Sequence, residues 1–392
     1  MHNSIEALES LGKGRKILIL LAAYNGEEYL SEQIQSIQRQ TIFTWTLLVR
    51  DDGSQDSSKD IIEEFAAKDS RIRLVDDERE GRGTTKNFAA LMQVALAEGA
   101  DAIFFADQDD IWLPHKLSRQ LKSLQEMEEQ YSPGTPLLCY SDLEVVDEHL
   151  HQIHPSFMRY EKLRHEPDNP IHVLLTQNLV TGCSVVINRA LLELATPIPT
   201  GITLHDWWLA ICAAACGRIG YIDQPLVQYR QHPRNQIGAM TLDRLVNFSA
   251  ARKRLAKIRE HMLGPIGQAQ VLRERIRKNN LSCSGDSLQV LDHFVTCLGQ
   301  GVLGRLWTIY RSPLRRQGPW RKLLLFFRVL LMRNEPKVKL TQYHDPLDAG
   351  VLLRMKHKTS GTLSEANQVW PGRAGQNRRR RVVNARTEEK GM

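Results

Sequence analysis

No stretch of the 392-residue sequence supplies the roughly 20 predominantly apolar residues that a membrane-crossing helix requires. The best attempt, Leu323 to Met332, is ten residues long and interrupted by Arg328. The opening segment MHNSIEALESLGKGRK carries acidic residues and no apolar core, so no secretory signal is expected. Cysteine is sparse: the six thiols, at 139, 183, 212, 216, 283 and 297, form no CxxC pair and no zinc-ligand spacing. Several lie in apolar runs such as LLCYS and AICAAACG, where a small buried thiol is the ordinary role. The pattern points to a reduced, cytosolic setting. There is no GxSxG turn and no Ser-His-Asp order to suggest a covalent nucleophile. Internal repeats are absent as well.

What is present is unevenly charged. The net charge of +7 averages two opposite regions. Residues 1–240 hold 22 Lys and Arg against 34 Asp and Glu, a balance of −12, while residues 241–392 hold 30 against 11, or +19. An acidic body is joined to a basic C-terminal region that should seek an anionic surface.

In the body, apolar runs alternate with helical periodicity. KILILLAA suits a strand buried on both faces, and Tyr29, Ile34 and Ile37 then recur at helical spacing. TWTLLVRDDGSQD, RIRLVDD and DAIFFADQDD read as further strands, with helices in DSSKDIIEEFAAKD and TTKNFAALMQVALAEGA between them. The alternation predicts a parallel, doubly wound sheet, whose ligand lies beyond the carboxyl ends of the strands. Tyr24–Asn25, Asp51–Asp52 and Asp107–Asp110 all fall at such ends and should converge on one crevice. PLLCYSDLEVVDE and LVTGCSVVIN predict more strands, LHDWWLAICAAACG a helix and RIGYIDQPLVQYR a last strand. From about residue 241 a wholly helical region is expected, and beyond 354 a disordered tail.

FFADQDDIWLP is the sharpest motif. Three carboxylates within four positions raise one another's proton affinity unless a cation neutralises them. Asp107 and Asp109 could hold Mg²⁺ or Mn²⁺, with open positions left for a diphosphate. The plainer alternative is a solvated acidic turn, or Asp110 as a helix cap. In LLVRDDGSQD one carboxylate could accept from a pyrimidine N3–H, with Tyr24 stacked on the base; turn geometry and core packing are the plain roles there.

Together these residues resemble the family 2 glycosyltransferases of the glycosyltransferase A fold. AAYNGEEYLSEQIQSIQRQT, VRDDGSQD, GRGTTKNF, FFADQDDIWLPHKL, YSDLEVVDE, LVTGCSVVINRALLELA and NQIGA carry the likeness across roughly residues 16–240. DQDDIWLP, HDWW and YRQH in combination resemble most the rhamnosyltransferase-like branch that builds bacterial surface polysaccharides (lipopolysaccharide O-antigen among them). The resemblance implies a nucleoside pocket of Ala22, Tyr24 and Asp52, with Ala22 lacking the hydroxyl that relatives often carry. It implies Lys86 near the nucleotide-sugar donor and a metal site of Asp107 and Asp109, completed by His232, with Asp107 shared with the ribose. Asp206 takes the place of the catalytic base, preceded by His205 where many relatives have Glu. Trp207 and Trp208 could form an acceptor platform, or one of them could be core.

The organisation expected is a tail over 1–15, a catalytic domain over 16–240, a helical basic region over 241–353 and a disordered basic tail over 354–392. Residues 301–340 carry ten Lys and Arg and one acid. Within them RSPLRRQGPWRKLLLFFRVLLMR predicts an interfacial helix on an anionic membrane surface. Nucleic-acid binding through RRRR at 378–381 is one competing reading, without an accompanying nucleic-acid motif; a buried helix packed on the catalytic body is another, which would explain Leu323–Leu325 but not the surrounding arginines. The expected activity is inverting transfer of L-rhamnose from dTDP-L-rhamnose to a lipid-linked glycan, at the inner face of the cytoplasmic membrane. A UDP-hexose donor is the alternative, and a non-catalytic polyanion-binding protein the rival of another class.

Overall fold

The computed structural model describes residues 14–76, 83–202, 204–235, 251–297 and 300–311, with Gly12, 314–318, Arg321, Leu323 and Asp345 beside them. Unbroken Ile and Leu make β1 (Ile17–Ala23) a strand buried on both faces. Its side chains still alternate: Ile17, Ile19, Leu21 and Ala23 join one core, Leu18 and Leu20 the other. With β2 (Thr46–Asp51), β3 (Ile72–Leu74) and β4 (Ala102–Asp107) it forms a wholly parallel half-sheet in the order β3-β2-β1-β4.

The crossovers are α1 (Leu30–Gln38), α2 (Ser58–Lys68) and α3 (Thr84–Ala97). Leu30, Ile34 and Ile37 put α1 on one face, while Phe88, Leu91, Met92 and Ala95 put α3 on the other. Strand order reverses beside β1, and a crevice opens where neighbouring connections part to opposite faces.

Beyond β4 the sheet is mixed. β5 (Ile111–Trp112), α4 (Lys116–Gln130), β6 (Leu137–Val146) and β7 (Gln152–His154) follow, then the short α5 (Phe157–Tyr160) and α6 (Ile171–Leu174). β8 (Val185–Asn188), α7 (Arg189–Ala195), α8 (His205–Cys216) and β9 (Arg218–Arg230) complete the body. β8 runs antiparallel to both β4 and β6, whereas β6 and β9 are parallel. Periodicity predicts such strands but not their direction. In α8, residues 208–215 are all buried; a helix apolar all round belongs in a core, and its four alanines let neighbours approach closely.

The basic region contributes α9 (Ala251–Lys278), α10 (Ser287–Thr296) and α11 (Val302–Arg311). Ile266, Leu272 and Ile276 of α9 and Leu291 and Phe294 of α10 share the core that holds α8. Arg275 is buried in a pair with Asp345 at 2.6 Å, donates to the carbonyls of Leu194 and Pro197, and lies over the Trp208 ring at 5.3 Å. These helices therefore serve as a layer of the body.

One expectation is corrected here. Residues 314–318 are irregular, so 311–333 is not one continuous helix. Pro313 and Pro319 flank the segment and each removes a helical N–H donor. Arg315 and Arg316 turn toward Glu166 and the Thr176 carbonyl. The tail from 354 lies outside the described residues. Among the described residues, no helix is long and apolar enough to cross a membrane.

Candidate active site

Strand register decides which side chains can meet. Ala22 of β1 is level with Arg50 of β2 and Asp107 of β4, and Ala23 is level with Asp51. Three strand ends thus open on one cleft of about 1170 Å³. Ala22, Tyr24, Asp52 and Lys86 line one part of it; Asp107, Asp109 and His232, and then Asp206 and Trp207, line the rest.

At the strand tips, Tyr24 is exposed and its backbone is clamped by a single side chain. Its N–H donates to Gln108 Oε1 at 2.7 Å, and its carbonyl accepts from Gln108 Nε2 at 3.0 Å. Gln108, the residue between the two aspartates of the motif, is thereby a structural brace. The neighbouring Asp51 and Asp52 divide their work. Asp51 accepts from the Gly53 and Ser54 N–H groups and closes the turn. Asp52 faces the cleft, where its carboxylate accepts from the Gly83 N–H at 2.5 Å and meets Arg50 at 3.4 Å. Lys86, in the first turn of α3, is exposed to the same space.

Asp107, Asp109 and Asp110 have three different surroundings. The Asp107 carboxyl is pushed up to about 7, first by burial and then by the charges of Asp109 and Asp206. The three carboxylates line the same cleft. Asp109 Oδ2 lies 2.9 Å from His232 Nε2, and the His232 ring packs 5.0 Å from that of Tyr29. Asp110 is fully buried, accepts from the Arg230 N–H at 3.1 Å and contacts the Cys183 thiol. It is therefore neither a solvated turn nor a helix cap. Among the described residues, Asp107, Asp110 and Cys183 form the one trio whose ligand-type atoms all lie within 4.8 Å. Burial pushes that thiol well up, and a neutral sulfur suits a hard cation poorly. Asp107, Asp109 and His232 also line the cleft, with Asp109 and His232 in direct contact, but the ligand-type atoms of the three do not all lie within 4.8 Å of one another.

Arg230 ties this corner together. Nε donates to the Asp109 carbonyl at 2.9 Å, Nη1 to the Glu148 carbonyl at 2.7 Å, and Nη2 pairs with Glu32. It thereby joins the end of β9, and with it His232, to the acidic turn. The signal was in YRQH, but a bracing role leaves no composition signature.

Asp206 sits in the first turn of α8. Oδ1 accepts from the Trp207 N–H at 2.5 Å and from Asn178 Nδ2 at 3.3 Å, and Oδ2 accepts from the Gly182 N–H at 3.1 Å. Burial outweighs these donors and pushes the carboxyl up to about 6. Gly182 leaves room for the His205 ring: a Cβ there would come within 2.9 Å of His205 Nε2, so that the ring or the turn would have to shift. His205 stacks on Phe88 at 3.9 Å, and burial drives its pKa down to about 3, so it packs as a neutral ring. Trp207 is half-buried at the cleft and donates Nε1–H to the Leu174 carbonyl at 2.6 Å. Trp208 corrects the acceptor-platform expectation. It is fully buried under Arg275 with Nε1–H on the Ala195 carbonyl, because adjacent helical residues point about 100° apart and only one can face the cleft.

Residues 18–188 match the family model for glycosyl transferase family 2. The chain is 29% identical over 245 residues to the dTDP-rhamnosyl transferase RfbG of Shigella flexneri, covering 61% of this chain and 79% of that one. It is 30% identical over 179 residues to the UDP-Glc:alpha-D-GlcNAc-diphosphoundecaprenol beta-1,3-glucosyltransferase WfgD of Escherichia coli, covering 45% and 62% respectively. Among solved structures, the S. aureus TarS 1–349 complex with UDP-GlcNAc aligns at a TM-score of 0.46 and 14% identity, over 81% of this chain and 88% of that one. Strand-tip carboxylates on one cleft and the matching family model agree: residues 18–188 form a glycosyl transferase family 2 domain.

Proposed function

We propose that this glycosyltransferase moves a sugar with inversion, in a single displacement, from a nucleotide-sugar donor to a hydroxyl of a lipid-linked glycan. The observation that carries the reading is the meeting of Asp107, Asp109 and Asp206 in one cleft with Tyr24 and Asp52 at its strand-tip end. Tyr24 stacks on the base, Asp52 uses its remaining lone pairs for a pyrimidine N3–H, and Ala22 offers backbone alone. Asp206 removes the acceptor proton; a carboxyl pushed up to about 6 is a stronger base than an ordinary aspartate yet still ionised at neutral pH. Lys86 faces the charge that gathers on the departing diphosphate. Trp207 supports the acceptor sugar.

The repulsion among the three carboxylates, together with an oxygen, oxygen and nitrogen donor set, fits Mg²⁺ or Mn²⁺ held by Asp107, Asp109 and His232. Such an ion supplies positive charge to the diphosphate as it leaves.

The name of the Shigella relative favours dTDP-L-rhamnose as donor, and that of the Escherichia relative favours a UDP-hexose as the second reading. The latter name also specifies a diphosphoundecaprenol acceptor, in keeping with a lipid-linked substrate here. The +19 balance of residues 241–392 favours peripheral attachment to anionic lipid on the cytoplasmic side, without nucleic acid. A panel of nucleotide sugars, assayed with Mn²⁺ for hydrolysis and for transfer to lipid-linked acceptors, tests the reading. Turnover of dTDP-L-rhamnose is expected; a chain that binds and turns over none of the panel would refute it and leave the polyanion binder.

A further inference from the structure

Along α11 the usual division between a buried apolar face and a solvated polar one is reversed. Arg305 is buried, at 1% exposure, and Leu306 packs against the core that holds α8. Leu303 and Trp307 lie on the outer side, at 83% and 56% exposure, and Arg311 is exposed as well. These three stand at i, i+4 and i+8, so they form one stripe along the helix. The far end of that stripe closes on itself, with the Arg311 guanidinium over the Trp307 ring at 4.5 Å.

A single exposed apolar residue needs no explanation, since much of any folded surface is apolar. Phe43 and Ile153 are such cases, each on a different part of the chain. In α11 a leucine and a tryptophan share one outward face while an arginine of the same helix is turned inward. A face of that kind marks an interaction surface.

Its chemistry suits the boundary between lipid headgroups and acyl chains. Leucine enters the apolar layer, an indole settles at headgroup level, and a guanidinium meets phosphate. The surrounding charge favours lipid over a second copy of the chain. Residues 301–340 carry ten Lys and Arg against one acid, so two such surfaces repel each other, whereas an anionic bilayer attracts them. We propose that the Leu303–Trp307–Arg311 stripe of α11 is a lipid-contacting face, seated in the headgroup region of an anionic bilayer. This contact rests on the peripheral attachment proposed from charge, and it names the helix and the face that make it.

The test is flotation of the full chain with vesicles of phosphatidylglycerol and phosphatidylethanolamine. Wild type is expected to bind, and Leu303→Ser/Trp307→Ser to bind about 10-fold more weakly or less. Arg311→Ala is expected to lose about 5-fold, the scale of one cation at an anionic surface. An unchanged thermal midpoint establishes that the variants fold. The chain has seven tryptophans, so the contact itself is read by difference. Lipid brominated on its acyl chains should quench bound wild type more than bound Trp307→Phe. Equal quenching of the two, or wild-type affinity in the double serine variant, overturns the face and leaves attachment to another part of the basic region. A double variant that alters self-association in sedimentation equilibrium, but not flotation, assigns the stripe to a second copy and overturns the proposal too. Wild type that fails to float with the anionic vesicles removes peripheral attachment itself, and the face with it.

Discussion

The two ends of the cleft are built on different principles. At the end proposed for the nucleotide, Ala22, Asp52 and Asp107 lie at or just past strand tips, and parallel ladders through β2, β1 and β4 fix their relative heights. At the end proposed for the acceptor, Asp206 stands on a helix and no ladder fixes it. Asp206 is positioned by Asn178 and Gly182 from a loop, and that loop is tied to Arg316 and Gln317 across 140 residues of chain. One end is set by local geometry that survives sequence change elsewhere. The other is tied through Thr176 and Gln177 to the segment that follows α11.

This contrast orders the expected effects. Asp206→Asn keeps the size of the side chain and removes the base, so transfer should fall about 10²- to 10⁴-fold while nucleotide affinity stays within twofold. Parallel transfer assays and nucleotide titrations read both, and transfer within tenfold of wild type would take Asp206 out of the base role. Next is the anchor of the C-terminal layer. Asp345→Ala leaves Arg275 buried without its partner and should cost about 3–5 kcal/mol in urea unfolding. Under conditions where the variant is folded, it should raise the acceptor KM more than the nucleotide Kd. Equal damage to both ends would dissolve the distinction.

The pH profile is a milder probe. The base works ionised, so lowering pH below about 6 protonates Asp206 and should cut transfer roughly tenfold per unit, with a plateau above. An acid limb near 4 in kcat would mean that burial does not govern this carboxyl in the working enzyme. Of similar size is Gln108→Leu, which removes two bonds to the Tyr24 backbone, about 1 kcal/mol each, and should weaken nucleotide binding by roughly 5- to 30-fold without moving that acid limb. A shifted limb would mean that the two ends are coupled through the acidic turn.

The same contrast explains what could be read from the sequence. β1, β2 and β4 with their acidic tips were legible because an unbroken apolar run ending in carboxylates has few other uses. Of the ten site residues expected from motifs and resemblance, nine line the cleft and Trp208 does not. Which aspartate of Asp51–Asp52 closes the turn was not legible, since both suit either task. Trp207 and Trp208 were inseparable until the helix phase was known. Gln108 and Arg230 brace backbone, and such a role leaves no spacing pattern. Arg316 and Arg321 looked like part of a lipid-facing charge run because their anchors lie far upstream. Local periodicity carries no information about a partner 140 residues away.

The claim beneath all of this is that crowded carboxylates at strand tips await a divalent ion together with a diphosphate. It is tested most directly by titrating dTDP and UDP into wild type and Asp109→Asn, each with Mn²⁺ and with EDTA. Wild type should bind at least tenfold more tightly with Mn²⁺, and Asp109→Asn should lose most of that difference. Affinity indifferent to the metal in wild type, or a metal effect undiminished in Asp109→Asn, would contradict the account.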